Sequence, residues 1–290
     1  MARTPAYEPI PPREMPPART VLVPGRGEFF LRDTGPTHPG DGPVALLLHG
    51  WMVSADLNWH AAYGPLAQAG YRVLAIDHRG HARGIRALAP FRLTDCADDA
   101  AAVLRTLEIQ QAIAVGYSMG GTIAQLMARD HRDLLSGLVL SGTCQHFQDP
   151  ETVKLWRWMG AVGLGVKLAP KRFFAAGFRR SGIPLNERTA WWMSELMRHS
   201  GRDVAEAGRE LGRFDSRPWL GSVQVPAAMV LTARDTAVSP AKQRELAAAV
   251  GATVFEVPLD HLELTNRDAE YNPALLSALE AVGAREGVPA

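Results

Sequence analysis

The sequence predicts an α/β fold, a mostly parallel central sheet flanked by helices. Three observations lead there. From Thr20 onward, short apolar runs that read as strands alternate with longer runs that read as helices. The runs VALLLHG, YRVLAID, AIAVGYS, LSGLVLSG and PAAMVLTARD are apolar almost throughout, as strands buried on both faces are. Helix-length segments lie between them, which parallel neighbours require for their crossovers.

Taken in order, MARTPAYEPIPPREMPPAR is dense in proline and has no apolar stretch. Residues 1–19 therefore read as an extended, mostly disordered tail, neither a secretory signal nor a membrane anchor. TVLVP and EFFLRD flank Gly25-Arg26-Gly27 and predict a β-hairpin. The turn-rich THPGDGP leads into the strand VALLLHG. NWHAAYGPLAQAG predicts one helix ending at Gly70, and YRVLAID the next strand, followed by the loop DHRGHARG. LTDCADDAAAVLRTLEI, with Thr94 as N-cap and acids in its first turns, predicts a helix. AIAVGYS, MGGTIAQLMARD and LSGLVLSG continue as strand, helix, strand.

The alternation stops near Cys144. From His146 to Ser222 the chain is helical in pattern and rich in Trp, Met, Phe and Arg. It then resumes with PAAMVLTARD, the helix AKQRELAAAV, the strand TVFEVPLD and a last helix NPALLSALEAVG. The expected organisation is a core over 20–145 and 223–290, interrupted by a helical cap over 146–222.

Composition excludes several classes. With 31 Lys and Arg against 30 Asp and Glu, the formal charge is +1, so no global field points to nucleic acid. No apolar run approaches the roughly 20 residues needed to span a bilayer. Cys96 and Cys144 form neither a disulfide framework nor a metal-ligand spacing, and read as two reduced thiols of a cytoplasmic protein. No phosphate-cradling loop or metal motif occurs, so no cofactor is expected.

Gly116-Tyr117-Ser118-Met119-Gly120 carries the chemistry. The serine stands where a predicted strand turns into a predicted helix. The glycines permit a turn too tight for side chains and project one hydroxyl beyond the carboxyl end of the sheet. A serine hydroxyl is a weak nucleophile and needs a base oriented by a third group. Asp235 ends MVLTARD and His261 follows the last strand in VPLDHLEL, so both fall at the same sheet edge as Ser118. The other histidines are His38, His49, His60, His78, His81, His131, His146 and His199. Of these, His49 and His78 also end predicted strands and read as structural. Asp77 reads as a tie for the DHRGHARG loop, and Asp260 as shaping the turn before His261.

With His49-Gly50-Trp51 after one strand, Asp77-His78-Arg79-Gly80-His81 after the next, then GYSMGG, TARD and DH, the chain resembles the α/β-hydrolase superfamily. Within it, the chain looks like the bacterial esterase, lipase and lactonase branch with a helical cap after the sixth strand. The Ser, Asp, His order matches that family. The resemblance implies an oxyanion hole from the backbone N–H groups of Trp51 and Met119. HGWMVS lacks the proline that the family's haloperoxidases and perhydrolases usually carry soon after His-Gly. Ser118 stands where haloalkane dehalogenases and epoxide hydrolases have aspartate.

The expected function is hydrolysis of a small carboxylic ester with an apolar acyl or aromatic part, through an acyl-enzyme on Ser118. The alternatives are a lactonase, a carbon–carbon-bond hydrolase or a perhydrolase on the same triad, or a non-catalytic ligand-binding protein. Expected pocket residues are His49, Gly50, Trp51, Tyr117, Trp156, Trp191 and Trp192. Lys154, Arg157, Lys167, Lys171, Arg172, Arg179 and Arg180 make the inserted segment basic. That pattern fits a solvated charged face, or weak contact with an anionic lipid surface or an acidic substrate.

Overall fold

The computed structural model describes residues 9–35, 42–180, 183–264 and 266–283. The chain forms β1 (Ala18–Val23), β2 (Gly27–Asp33), β3 (Val44–Leu48), α1 (Ala55–Trp59), α2 (Tyr63–Gln68), β4 (Arg72–Ile76), α3 (Leu93–Thr106), β5 (Ala112–Tyr117), α4 (Met119–Asp130) and β6 (Leu135–Ser141). Five helices follow: α5 (Pro150–Arg157), α6 (Met159–Leu168), α7 (Pro170–Arg180), α8 (Glu187–Leu196) and α9 (Gly201–Arg213). The chain closes with β7 (Ala227–Thr232), α10 (Pro240–Ala249), β8 (Thr253–Val257) and α11 (Asp268–Gly283).

The strands make one sheet in the order β1-β2-β4-β3-β5-β6-β7-β8. The hairpin β1–β2 and its pairing with β4 are antiparallel; β4, β3, β5, β6, β7 and β8 run parallel. The parallel strands end at a common carboxyl edge. Both faces are covered, which is why the central strands read as continuous apolar runs. Leu46 and Leu48 point to one side with Met119, Ile123 and Leu104, whereas Ala45 and Leu47 point to the other with Trp59, Tyr63 and Leu275.

Two local expectations are corrected. NWHAAYGPLAQAG forms two short helices, α1 and α2, rather than one. Pro65 has no N–H to donate back to the Ala61 carbonyl; the Asn272 side-chain amide donates to it instead, at 2.8 Å. In α3 the N-cap is Arg92, in extended conformation, and Thr94 lies inside the first turn. In addition, α11 begins at Asp268, one turn before Asn272.

Residues 9–17 run against the fold. The Arg13 guanidinium meets Asp268 at 2.6 Å, Arg32 donates to the Pro16 carbonyl, and the Asp33 N–H donates to that of Pro17. Residues 1–8 of the proline-rich tail lie outside the described residues, as does His38. The five helices α5–α9 leave the sheet after β6 and return before β7. The two chain passages are tied by an antiparallel bridge between His146 and Asp215 and by Ser216 N–H donating to Gln145 O at 2.8 Å. Among the described residues no helix is long and apolar enough to cross a membrane.

Candidate active site

Ser118 sits between β5 and α4 with φ 54° and ψ −116°, a backbone conformation that L-residues rarely adopt. The surrounding glycines explain how the chain holds it. A Cβ on Gly116 would lie 2.4 Å from the Gly120 carbonyl oxygen, and one on Gly120 would lie 1.9 Å from that of Leu48. Strand, turn and helix therefore cross at backbone contact, and only glycine fits there. Met119 is the first residue of α4, so its N–H has no intrahelical acceptor and points from the positive end of the helix.

The His261 ring lies between Ser118 and Asp235. Nε2 is 3.0 Å from Ser118 Oγ and Nδ1 is 2.8 Å from Asp235 Oδ2. A carboxylate only accepts hydrogen bonds, so Nδ1 carries the proton and Nε2 is free to accept the serine's. Asp235 is buried and its remaining lone pairs are taken. Oδ1 accepts from the Ala237 and Val238 N–H groups at 2.9 and 2.7 Å, and Oδ2 from Thr232 Oγ1 at 2.7 Å. Gln243 Nε2, 3.3 Å from the same oxygen, also donates to Val238 O, while its Oε1 accepts from Thr232 N–H. The carboxylate is thus locked in one orientation between β7 and α10.

Two further contacts fix the neighbourhood. Tyr117, buried at the end of β5, donates its hydroxyl to the main-chain carbonyl of His261, and the two rings stand 5.1 Å apart. Gly50 donates its N–H to Asn58 Oδ1 at 2.9 Å, and a Cβ on Gly50 would lie 3.4 Å from Ser118 Cβ. The His49-Gly50-Trp51 turn therefore lies beside the serine. Thr232, Gln243 and Asn58 were not singled out in the sequence. The only available signal was Thr232 standing three residues before Asp235.

Other candidates have structural roles. His49 is fully buried; its Nδ1–H donates to Gly50 O at 2.8 Å and its Nε2 accepts from His78 N–H at 2.9 Å. His49, His78, His81 and His199 form a buried cluster with ring centroids 4.2 to 5.6 Å apart along the chain of contacts. Nε2 of His78, His81 and His199 has no partner among the described residues. Burial holds all four neutral, His49 down to about 3 and His199 to about 4, with His78 and His81 also far below the usual imidazole range. No group of three or more His, Cys, Asp or Glu among the described residues is arranged to hold a metal ion.

Asp77 accepts from the Ala55 and Arg83 N–H groups, tying α1 to the DHRGHARG loop; burial pushes its carboxyl up to about 6. Asp260 accepts from Thr236 and from His261 N–H, shaping the turn. Cys96 and Cys144 are buried and unbridged, and burial raises both thiols, Cys144 to about 12.

The aromatic residues expected at the pocket divide. The Trp51 indole donates to Val204 O of α9 at 2.9 Å and meets Trp156 edge-on at 5.7 Å. Trp156 donates to Phe147 O. Trp191 instead packs on His60 and faces a crevice of about 340 Å³ with Arg32, Asp56 and Arg83, which none of Ser118, Asp235 or His261 lines. Trp192 packs against Phe178.

Residues 43–189 match the family described as alpha/beta hydrolase fold. A bifunctional esterase/perhydrolase from Acinetobacter calcoaceticus is 38% identical over 114 residues, which span 39% of this chain and only 40% of that protein. A non-heme haloperoxidase from Rhodococcus erythropolis is 29% identical over 273 residues, 88% of this chain and 96% of the relative. The crystal structure of the enol-lactonase from Burkholderia xenovorans LB400 superposes with a TM-score of 0.74 at 21% identity, over 90% of this chain and 99% of the other. That last likeness is one of fold.

Proposed function

Because the chain belongs to the α/β-hydrolase family, we propose that it is a serine hydrolase that cleaves a carboxylic ester with an apolar acyl or aromatic part. The observation that carries this reading is the continuous contact from Ser118 Oγ through the His261 ring to Asp235, at 3.0 and 2.8 Å. His261 Nε2 takes the Ser118 proton as Oγ attacks the ester carbonyl carbon. Asp235 keeps the imidazole in the required tautomer and stabilises the imidazolium. The carbonyl oxygen, now negative, is held by the backbone N–H groups of Trp51 and Met119. The position of Met119 at the start of α4, and of the Gly50 turn beside Ser118, supports that assignment.

Collapse of the intermediate breaks the ester C–O bond, and His261 gives its proton to the departing alcohol. Water then loses a proton to Nε2, attacks the acyl carbon and releases the acid, restoring Ser118. Residues 146–222 act as a cap over this edge, with Trp51 and Trp156 as apolar contacts where cap and core meet. Hydrolysis of p-nitrophenyl esters from acetate to palmitate tests the reading, with Ser118→Ala as control. Activity in the wild type and its loss in the variant support it; equal inertness of both on every ester overturns it.

A second reading concerns the acceptor. The name of the Acinetobacter relative, an esterase/perhydrolase, favours attack on the acyl-enzyme by hydrogen peroxide, which would release a peracid in place of the acid, whereas the absence of a proline soon after His49-Gly50 speaks for water. Assaying peracid formation beside hydrolysis separates the two.

A further inference from the structure

From Thr152 to Arg180 the chain contains seven basic residues, no Asp or Glu, and no polar uncharged side chain except Thr152. The rest of the chain carries 24 Lys and Arg against 30 Asp and Glu, a formal −6, so the near-neutral total hides a strong segregation. Every exposed residue between Lys154 and Arg180 is basic, apolar or glycine. The large apolar ones are Leu155, Trp158, Leu164 and Leu168, with Trp158 69% and Leu168 70% exposed.

These residues occupy the outward side of the helices. In α6, Met159, Gly163 and Val166 face inward against the fold, leaving Leu164 and Leu168 together on the opposite side, one turn apart. In α7, Phe174 and Ala175 are buried, while Lys171, Arg172, Arg179 and Arg180 are exposed. Arg157, Lys167, Lys171, Arg172, Arg179 and Arg180 pair with no carboxylate among the described residues. Scattered exposed leucines are ordinary on a protein surface. Exposed leucine and tryptophan interleaved with unpaired cations and stripped of acids are not.

We propose that α5–α7 form a docking surface for an anionic lipid interface. Leucine and tryptophan enter the boundary between headgroups and acyl chains, and the lysine and arginine groups meet the phosphates around them. Charge complementarity selects the anionic surface. The aliphatic character of three of the four large apolar residues favours lipid over nucleic acid, which would want stacking aromatics and polar base contacts. The helices are too short to span a bilayer and lie along its surface. The surface belongs to the same helical segment that contacts Trp51 next to the Ser118 turn, so docking would bring the site close to apolar esters held in lipid.

Flotation of the full chain with phosphatidylcholine vesicles, with and without 30 mol% phosphatidylglycerol, tests this. Binding to the anionic vesicles should exceed binding to the neutral ones by about tenfold, and should fall in high salt. Lys171→Glu/Arg172→Glu and, separately, Leu164→Ser/Leu168→Ser should each weaken it about tenfold. Both variants should keep the wild-type melting temperature and the wild-type rate on a soluble short-chain ester. Equal binding to both vesicle types, or none to either, overturns the proposal. So does binding to RNA or heparin that matches the vesicle binding and is untouched by Leu164→Ser/Leu168→Ser. Failure of the vesicle arm leaves the ester assay unaffected, and an inactive ester assay leaves the vesicle arm intact.

Discussion

Arginine is used in opposite ways in the two parts of this molecule. Around the sheet it locks. Arg32 and Arg83 both hold the buried Asp56, Arg83 also holds Glu195, Arg72 holds Asp33, and Arg79 clamps Asp99. In α5–α7 it is displayed: Arg157, Arg172, Arg179 and Arg180 are exposed and meet no carboxylate among the described residues. The core fixes geometry to fractions of an ångström, as the backbone contacts at Gly116 and Gly120 require. In the proposed reading, the helical segment presents a surface to an anionic lipid interface outside the chain. The proposed chemistry and the proposed docking thus fall to parts of the molecule under different physical demands.

The largest effect belongs to the core. Ser118→Ala should reduce ester hydrolysis by a factor on the order of 10⁵ to 10⁶ with little change in melting temperature. Retention of activity would move the nucleophile elsewhere. Next, Asp56→Ala leaves the part-buried Arg32 guanidinium without a carboxylate and takes from Arg83 one of its partners, with Glu195 retained, and should cost about 3 kcal/mol in denaturant unfolding. Arg179→Ala, by the same measurement, should stay within about 0.5 kcal/mol. Similar losses at both positions would erase the contrast between locked and displayed arginine.

Acid should act on the boundary between the two parts, where His199 meets His81. The folded-state pKa values of His49 and His199, about 3 and about 4, lie below the free value of 6.5. Their contribution to stability is therefore complete above pH 6.5 and is lost as pH falls toward 4. His78 and His81 shift in the same direction. Asp77, raised to about 6, works the other way: the stability it contributes is present below about 3.8 and is lost as pH rises through 6. His60 and His146 are lowered as well, so one carboxyl opposes six histidines, and melting temperature should fall by about 5 °C or more between pH 7 and pH 5. A flat profile would mean that the histidines are not held neutral.

A smaller effect is expected at Tyr117. Removing the hydroxyl that holds the His261 carbonyl, as Tyr117→Phe, should lower kcat about tenfold and leave KM near its original value. The pH–rate profile should shift with it, because the loop that carries the proposed general base, His261, is loosened. An unchanged kcat would reduce Tyr117 to packing.

Sequence carried the centre of the candidate site further than its supports. Ser118 was legible because G-x-S-x-G at a strand-to-helix junction has a steric reason, and Asp235 and His261 because strand ends of a parallel sheet share an edge. Gln243 was not, since it reaches Asp235 from α10 through a fold-dependent crossing that no spacing reveals. The split between α1 and α2 was hidden until Asn272 was seen occupying the carbonyl that Pro65 cannot bond. Trp191 looked like a pocket wall because aromatic residues in a helical insertion all read alike; its actual partner, His60, comes from the other side of the chain. The charge of α5–α7 was visible, but not that Trp158, Leu164 and Leu168 stand beside it in solvent. Helical periodicity gives a face without saying what that face meets.

The most direct test of the central claim is covalent trapping. The chain would be treated with a fluorophosphonate and the modified peptide identified by mass spectrometry. One adduct on Ser118, absent in His261→Ala, is the predicted result. A protein that hydrolyses esters yet carries no adduct on Ser118, or carries it on another residue, would contradict the account.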